Sequence, residues 1–233
     1  MATQTVSSPI TADPVLRRRI GIVALLLALT AVAAVPGGLL WPEPAGGGET
    51  YAYSDIQPVR DLWWGLLVVL STLLVLNVPA QALLTTLLVR GRGSAWATVG
   101  AVVMWIGTAL YAVGAAGWAA AYYFATAPGV DASVIERIND DSAHLFGVMI
   151  PGALLVAVGT VIQAVGLWRS RAVPRWIPLF WLTIVATFVV PGNGIAGLIT
   201  ALPMTAASLG VAYYAGVLRR GPGSGAAVEQ AGD

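Results

Sequence analysis

Cysteine and lysine are both missing from the 233 residues, and histidine occurs once, at His144. Without cysteine there is no disulfide framework, no thiolate nucleophile and no Cys-ligated metal. Without lysine there is no Schiff base and no phosphate-binding P-loop. A single histidine excludes a haem held between two histidines of one chain. Charge is scarce as well: 10% of the residues are charged, against about 25% in an average soluble domain. The formal net charge of +1 gives no case for nucleic acid as a partner.

Apolar length takes the place of charge. Hydrophobic residues make up 58% of the chain and the mean hydropathy is +0.80. Several runs approach or exceed the ~20 residues that a helix needs to cross a bilayer. The expected fold class is all-α, a polytopic membrane helix bundle of six transmembrane helices. The spans fall at about 20–41, 62–89, 95–125, 145–168, 176–191 and 195–218. Residues 1–16 and 221–233 read as disordered tails, which leaves 17–220 as a single transmembrane domain. Ala31-Val32-Ala33 resembles a signal-peptide cleavage site. The apolar run continues past it to Trp41, so an uncleaved first helix is expected.

Arginine placement sets the orientation, because short Arg-rich loops stay cytoplasmic. Six spans with the N-terminus inside put Arg17, Arg18, Arg19, Arg90, Arg92, Arg169, Arg171, Arg175, Arg219 and Arg220 on the cytoplasmic side. Only Arg60 and Arg137 fall outside, together with Glu43, Glu49, Asp55, Asp61, Asp131, Glu136, Asp140 and Asp141. Omitting the short fifth span would send the last arginine pair outside. Both termini are therefore expected in the cytoplasm. Trp41, Trp63, Trp64, Trp96, Trp168 and Trp176 stand at span ends, where indoles anchor at the interface. Gly107, Tyr111, Gly114 and Gly117 suggest close helix packing along the third span.

Two stretches could carry chemistry. Asp131–His144 concentrates the charge, and if it is one helix, Glu136, Asp140 and His144 share a face. Such a stripe could bind a divalent metal or work as an acid–base pair, with Asp141 beside it. The plainer reading is a short amphipathic helix capped by Ser133 and Glu136, with Val134, Ile135 and Ile138 inward. In that reading Arg137 pairs with Asp141, and Asp140, Asp141 and Ser142 begin the next helix. The second stretch is Asn77-Val-Pro79-Ala-Gln81, inside the second span. Proline frees a helix carbonyl, and the two amides lie four residues apart, so both can line a cavity in the bundle. The plainer alternative is two amides that cross-link helices. No charged residue falls in the middle of any expected span, which weighs against proton-driven transport.

His144-Leu-Phe-Gly147 and the exit Leu167-Trp-Arg169-Ser-Arg171-Ala-Val-Pro174-Arg175 resemble the bacterial multi-pass membrane proteins of the domain-of-unknown-function family 4386. The basic start followed by Ile20-Gly21 fits the same group. The resemblance implies a six-helix integral membrane protein and brings no established activity. Arginine without lysine, with high Ala, Val and Gly, suggests a GC-rich bacterial source. The expected protein lies in the bacterial inner membrane, needs no cofactor and has the lipid bilayer as its first partner. Its expected role is non-catalytic binding, accessory work or facilitation, handling a lipid or small amphiphile near Asn77 and Gln81. An enzyme built on Glu136, Asp140, Asp141 and His144 is the alternative, and a structural or partner-binding protein is a third.

Overall fold

The computed structural model describes residues 13–45, 50–188 and 194–220, with backbone alone at 188, 194–196 and 218–220. Most of the two tails and the Gly192-Asn193 turn lie outside the described residues. Helix α1, Pro14–Leu39, starts before the arginine triplet. The Asp13 carboxylate accepts the Val15 N–H at 2.8 Å, and Pro14 occupies the first helical position, where its missing N–H costs nothing. A short helix α2, Tyr53–Ile56, and a 3-10 turn, Gln57–Val59, lead into α3, Arg60–Leu88. Helix α3 runs unbroken through Pro79.

The tight turn after α3 uses Gly91 and Gly93 at φ 65° and 98°, a conformation that glycine adopts freely. Helix α4, Ser94–Ala125, follows, then α5, Ser133–Asp140, α6, Ser142–Phe146, and α7, Met149–Ser170. The fourth span therefore begins at Met149, four residues later than expected. Gly147 and Val148 separate α6 from α7, and Pro151 falls in the first turn of α7, where its missing N–H costs nothing. Helix α8, Trp176–Trp181, continues as a 3-10 helix over Leu182–Phe188, and α9 spans Gly194–Arg220. Among the described residues every element is helical.

Among the described residues, five helical stretches are long and apolar enough to cross a membrane: Pro14–Leu39, Tyr53–Leu88, Ser94–Ala125, Met149–Ser170 and Gly197–Val217. The sixth expected span appears as the shorter apolar stretch Trp176–Thr187. Outward-facing side chains on the long helices are themselves apolar, among them Ile22, Leu25, Leu29, Val102, Ile106, Leu154 and Val158. This multi-pass membrane protein is apolar on its outer surface as well as in its core.

The tightest seam joins α4 to α7, and glycine makes it. Gly93, Gly100, Gly107 and Gly114 recur every seven residues and meet Gly166, Gly159, Gly152 and Met149 in antiparallel order. A Cβ on Gly107 would stand 2.6 Å from the Val156 nitrogen, and one on Gly100 2.7 Å from the Gly159 carbonyl oxygen. The backbones touch, which is how helices associate without a hydrophobic driving force between them. Gly117, expected in the same seam, has nothing within 4 Å of a Cβ.

Buried side chains form three groups. Ile20, Leu84, Ala97, Leu167, Ile177, Trp181, Val211 and Ala215 join the start of α1 to the end of α9, at the arginine-bearing end. Helices α1 and α9 are thus antiparallel, and Thr205 Oγ1 donates to the Ala31 carbonyl at 3.2 Å where they cross. Val78, Met104, Val156, Ala157 and Ile184 fill the middle. Tyr51, Ile56, Trp63, Trp118, Tyr122, Ile135 and Phe146 form an aromatic group at the acidic end.

Candidate functional site

Packing between α1, α3, α4, α7, α8 and α9 leaves a cavity of about 490 Å³. That volume lies within the ~300–1,000 Å³ usual for small-molecule sites. Its lining runs along α3 from Leu67 to Gln81, a helix rise of about 21 Å. Among the described residues, no charged side chain lines it. Leu70, Leu74, Met104, Ile184 and Met204 make its shaft apolar.

The two amides singled out in α3 both line this cavity, and they sit in different settings. Asn77 Nδ2 donates to Thr30 Oγ1 at 2.9 Å and to the Leu27 carbonyl at 3.4 Å. The Thr30 hydroxyl passes its own proton to the Leu26 carbonyl at 2.8 Å. Asn77 is therefore a cross-link from α3 to α1, with its amide orientation set by those bonds. Gln81, one turn further along, is 6% exposed, and its Nε2 has no hydrogen-bond partner. Trp181 of α8, 1% exposed, likewise leaves its indole N–H without a partner. Ser208 of α9 lines the same deep end, one turn past Thr205. Both donor atoms are themselves closed off, so they lie in the packed wall beside the cavity and not on its surface.

At the other end, Trp41, Tyr51 and Trp118 line the cavity where it meets the aromatic group. Trp41 Nε1 donates to the Tyr51 hydroxyl at 2.7 Å, and that hydroxyl donates to the Pro42 carbonyl at 2.9 Å. Trp63 and Trp118 meet edge to face with centroids 5.3 Å apart. Asn139 of α5 ties the group together: it accepts from the Tyr122 hydroxyl and donates to the Tyr51 carbonyl at 3.0 Å. Four of the span-end tryptophans, Trp64, Trp96, Trp168 and Trp176, are exposed. Trp63, expected beside them, is fully buried in this group, because consecutive helix residues point about 100° apart.

The charged stretch from Asp131 to His144 is not one helix. Helix α5 ends at Asp140, and Asp141 leaves helical geometry at φ −103°, ψ 42°. That break removes the shared face that Glu136, Asp140 and His144 would need. Among the described residues, no group of three or more His, Cys, Asp or Glu side chains is placed to hold a metal ion. His144 Nδ1 instead faces Asp141 Oδ1 at 2.6 Å, with both side chains mostly in solvent. The hydrogen bond and the charge of Asp141 raise the His144 pKa above its ordinary 6.5. Arg137 bonds back to Ser133, through Nε to its carbonyl and Nη2 to its hydroxyl. The cap of α5 also differs from expectation: the Asp131 carboxylate accepts the Ser133 N–H at 2.8 Å. That hydrogen bonding lowers the Asp131 pKa. Ile135 is fully buried, with Val134 and Ile138 packed beside it.

Several polar residues escape a reading of the sequence. Gln163 is fully buried in α7, and its Nε2 donates to the Ala97 carbonyl at 3.2 Å and the Ala82 carbonyl at 3.4 Å. Arg60 is held by Tyr123: Nε donates to the Tyr123 carbonyl at 2.8 Å, and the guanidinium lies 3.5 Å from the ring centroid. Gln163 and Asn139 lie outside any motif, and only the fold gives them partners. No protein-family model, no curated protein and no solved structure matches this chain.

Proposed function

We propose that this chain is a non-catalytic binding protein of the bacterial inner membrane, an accessory or facilitator that accepts a lipid or small amphiphile in its central cavity. The observation that carries the reading is the 490 Å³ cavity itself, apolar along its shaft and polar at Asn77, Gln81 and Ser208. An apolar pocket with a few placed polar groups is the usual form of a small-molecule site. The same proposal includes six membrane crossings, both termini in the cytoplasm, and the resemblance to family 4386 on the residues quoted above.

The segment proposed for the sixth crossing is short against a hydrocarbon layer of ~30 Å. Six α-helical and seven 3-10 residues of the α8 segment rise about 23 Å together, because each 3-10 residue advances about 2.0 Å. Arginine distribution supports the orientation, since Arg90, Arg92, Arg169, Arg171 and Arg175 flank one end of the bundle.

Photocrosslinking tests the reading. A lipid with a photoactivatable group in its chain, incorporated in proteoliposomes, should label peptides covering 67–81 and 197–208. Leu74→Trp, which fills the shaft, should abolish that labelling while leaving labelling of the outer surface intact. Labelling confined to outward residues such as Val69 and Leu202, unchanged by Leu74→Trp, would overturn the proposal.

A further inference from the structure

We infer that the ligand of this cavity is an uncharged long-chain alcohol that donates its hydroxyl proton to the side-chain oxygen of Gln81. The inference rests on the binding reading above and names the chemical class. Gln81 lines the cavity and is 6% exposed. Its Nε2 is closed off in the wall, so the open atom of its amide is the carbonyl oxygen Oε1, to which no described residue donates. A buried acceptor without a donor carries its desolvation penalty, and an O–H group that reaches it removes the penalty. The second amide in the lining is in the same state. Asn77 spends Nδ2 on Thr30 and the Leu27 carbonyl, which leaves its oxygen to offer. The threonine hydroxyls add lone pairs and no free protons. Thr30, Thr160, Thr200 and Thr205 line the cavity, and each already donates to a backbone carbonyl. The indole N–H groups of Trp118 and Trp181 are shut in the wall. Ser71 and Ser208 add hydroxyls that accept as readily as they donate. The described lining is therefore rich in oxygens and asks for a donor.

Charge narrows the class further. An ammonium would also donate to Gln81 Oε1. The described lining contains no Asp and no Glu, so nothing there would compensate its charge. Gln81 lies nine residues before Arg90, about 14 Å of helix, which sets it near the middle of a ~30 Å hydrocarbon layer. A cation at that depth would be buried without a counter-charge. A ketone or an ether has no charge but brings lone pairs alone, and these would meet the lone pairs of Gln81 and Asn77. A hydroxyl satisfies both conditions. It donates to Gln81 Oε1, keeps lone pairs for a serine proton, and is carried on a chain that suits the shaft of Leu70, Leu74, Met104 and Met204.

The test compares three probes of equal chain length on the intact protein, at equal mole fraction in detergent: a long-chain primary alcohol, its methyl ether and the alkylammonium. Native mass spectrometry reads bound probe, and the shift in Tm gives an independent measure of affinity. The alcohol should bind about tenfold tighter than the ether, the equivalent of one net hydrogen bond, and tighter than the ammonium. Gln81→Leu should reduce the alcohol's advantage over the ether without weakening ether binding. Equal binding of alcohol and ether would overturn the donor assignment and leave the binding reading standing. Equal or tighter binding of the ammonium would overturn the uncharged class. A folded Gln81→Leu protein that keeps the full advantage would overturn Gln81 as the acceptor. Failure of all three probes to bind would overturn the binding reading itself. The wild-type comparison decides the ligand class even if the variant does not fold.

Discussion

At the scale of single residues, the chain shows how a polar group takes its meaning from its partner. His144 has one carboxylate beside it, Asp141, and both sit in solvent. The pair's contribution is present below the ordinary histidine pKa of 6.5 and is lost as pH rises through the elevated folded value. Since His144 is the only histidine, its ring proton signal titrates alone in an NMR spectrum. Asp141→Asn should bring that titration back down toward 6.5, and added salt should do part of the same. An unchanged midpoint in Asp141→Asn would mean that the hydrogen bond is not the cause. Much at this scale was legible in the sequence, and the misses have a common origin. Asn77 and Gln81 stand beside a proline in an apolar run, which marks them. Trp63 and Trp64 look identical as neighbours, yet one is fully buried and the other faces out, because helix phase separates them. Asp131 and not Ser133 caps α5, since the helix starts at Ser133 itself, one residue earlier than a capping box with Ser133 as its N-cap would require.

Secondary elements show a second pattern, in which glycine does for α4 and α7 what large side chains do in a soluble core. The contact is backbone to backbone, so it has no soft atoms to yield. Gly107→Ala places a methyl 2.6 Å from the Val156 nitrogen, and overpacking of this kind costs about 1–3 kcal/mol. Gly117→Ala meets nothing within 4 Å and should be neutral or stabilising by up to about 1 kcal/mol from helix propensity. Unfolding in mixed micelles under denaturant would rank the two variants, and equal losses would show that the seam is not the reason. The sequence shows the seven-residue spacing on both helices only once the two are set antiparallel. Gly107 and Gly114 could be read from α4 alone, whereas Gly152, Gly159 and Gly166 needed the partner. Element ends were less legible than element interiors. A break at Gly147–Val148 separates α6 from α7, and half of the α8 segment winds as a 3-10 helix, which hydropathy does not register.

For the molecule as a whole, the arrangement of ends is the feature to test. The start of α1 and the end of α9 share one buried group with the α3–α4 turn and the end of α7. Absence of native cysteine makes the test direct, because any introduced thiol is the only one. Single cysteines at Gly91 and at Ala172 should react with an impermeant maleimide only after the cytoplasmic face is opened. One at Gly129, in the turn between α4 and α5, should react in intact cells. With six crossings, a cysteine appended after Asp233 behaves like the first pair, and with five it behaves like Gly129. The choice of a membrane bundle was plain from composition alone, since an apolar surface on five long helices has no other stable surroundings. The cavity was not, because emptiness depends on how six segments of unequal length fit together.

That inequality has one more consequence. Helix α4 overhangs α7 by the residues after Gly114, and α5, α6 and Trp63 fold over the overhang. Measured from Gly93, a hydrocarbon layer of ~30 Å ends near that point, so Trp118, Tyr122 and Ile135 gather at the headgroups and the water beyond. Two regions of one chain are therefore held by different forces. Contact between glycine backbones inside the bilayer owes little to water, whereas the aromatic group depends on excluding it and so weakens on cooling. Chilled or exposed to urea, this protein should loosen first above the membrane, at the mouth of its cavity, while the helices beneath keep their register.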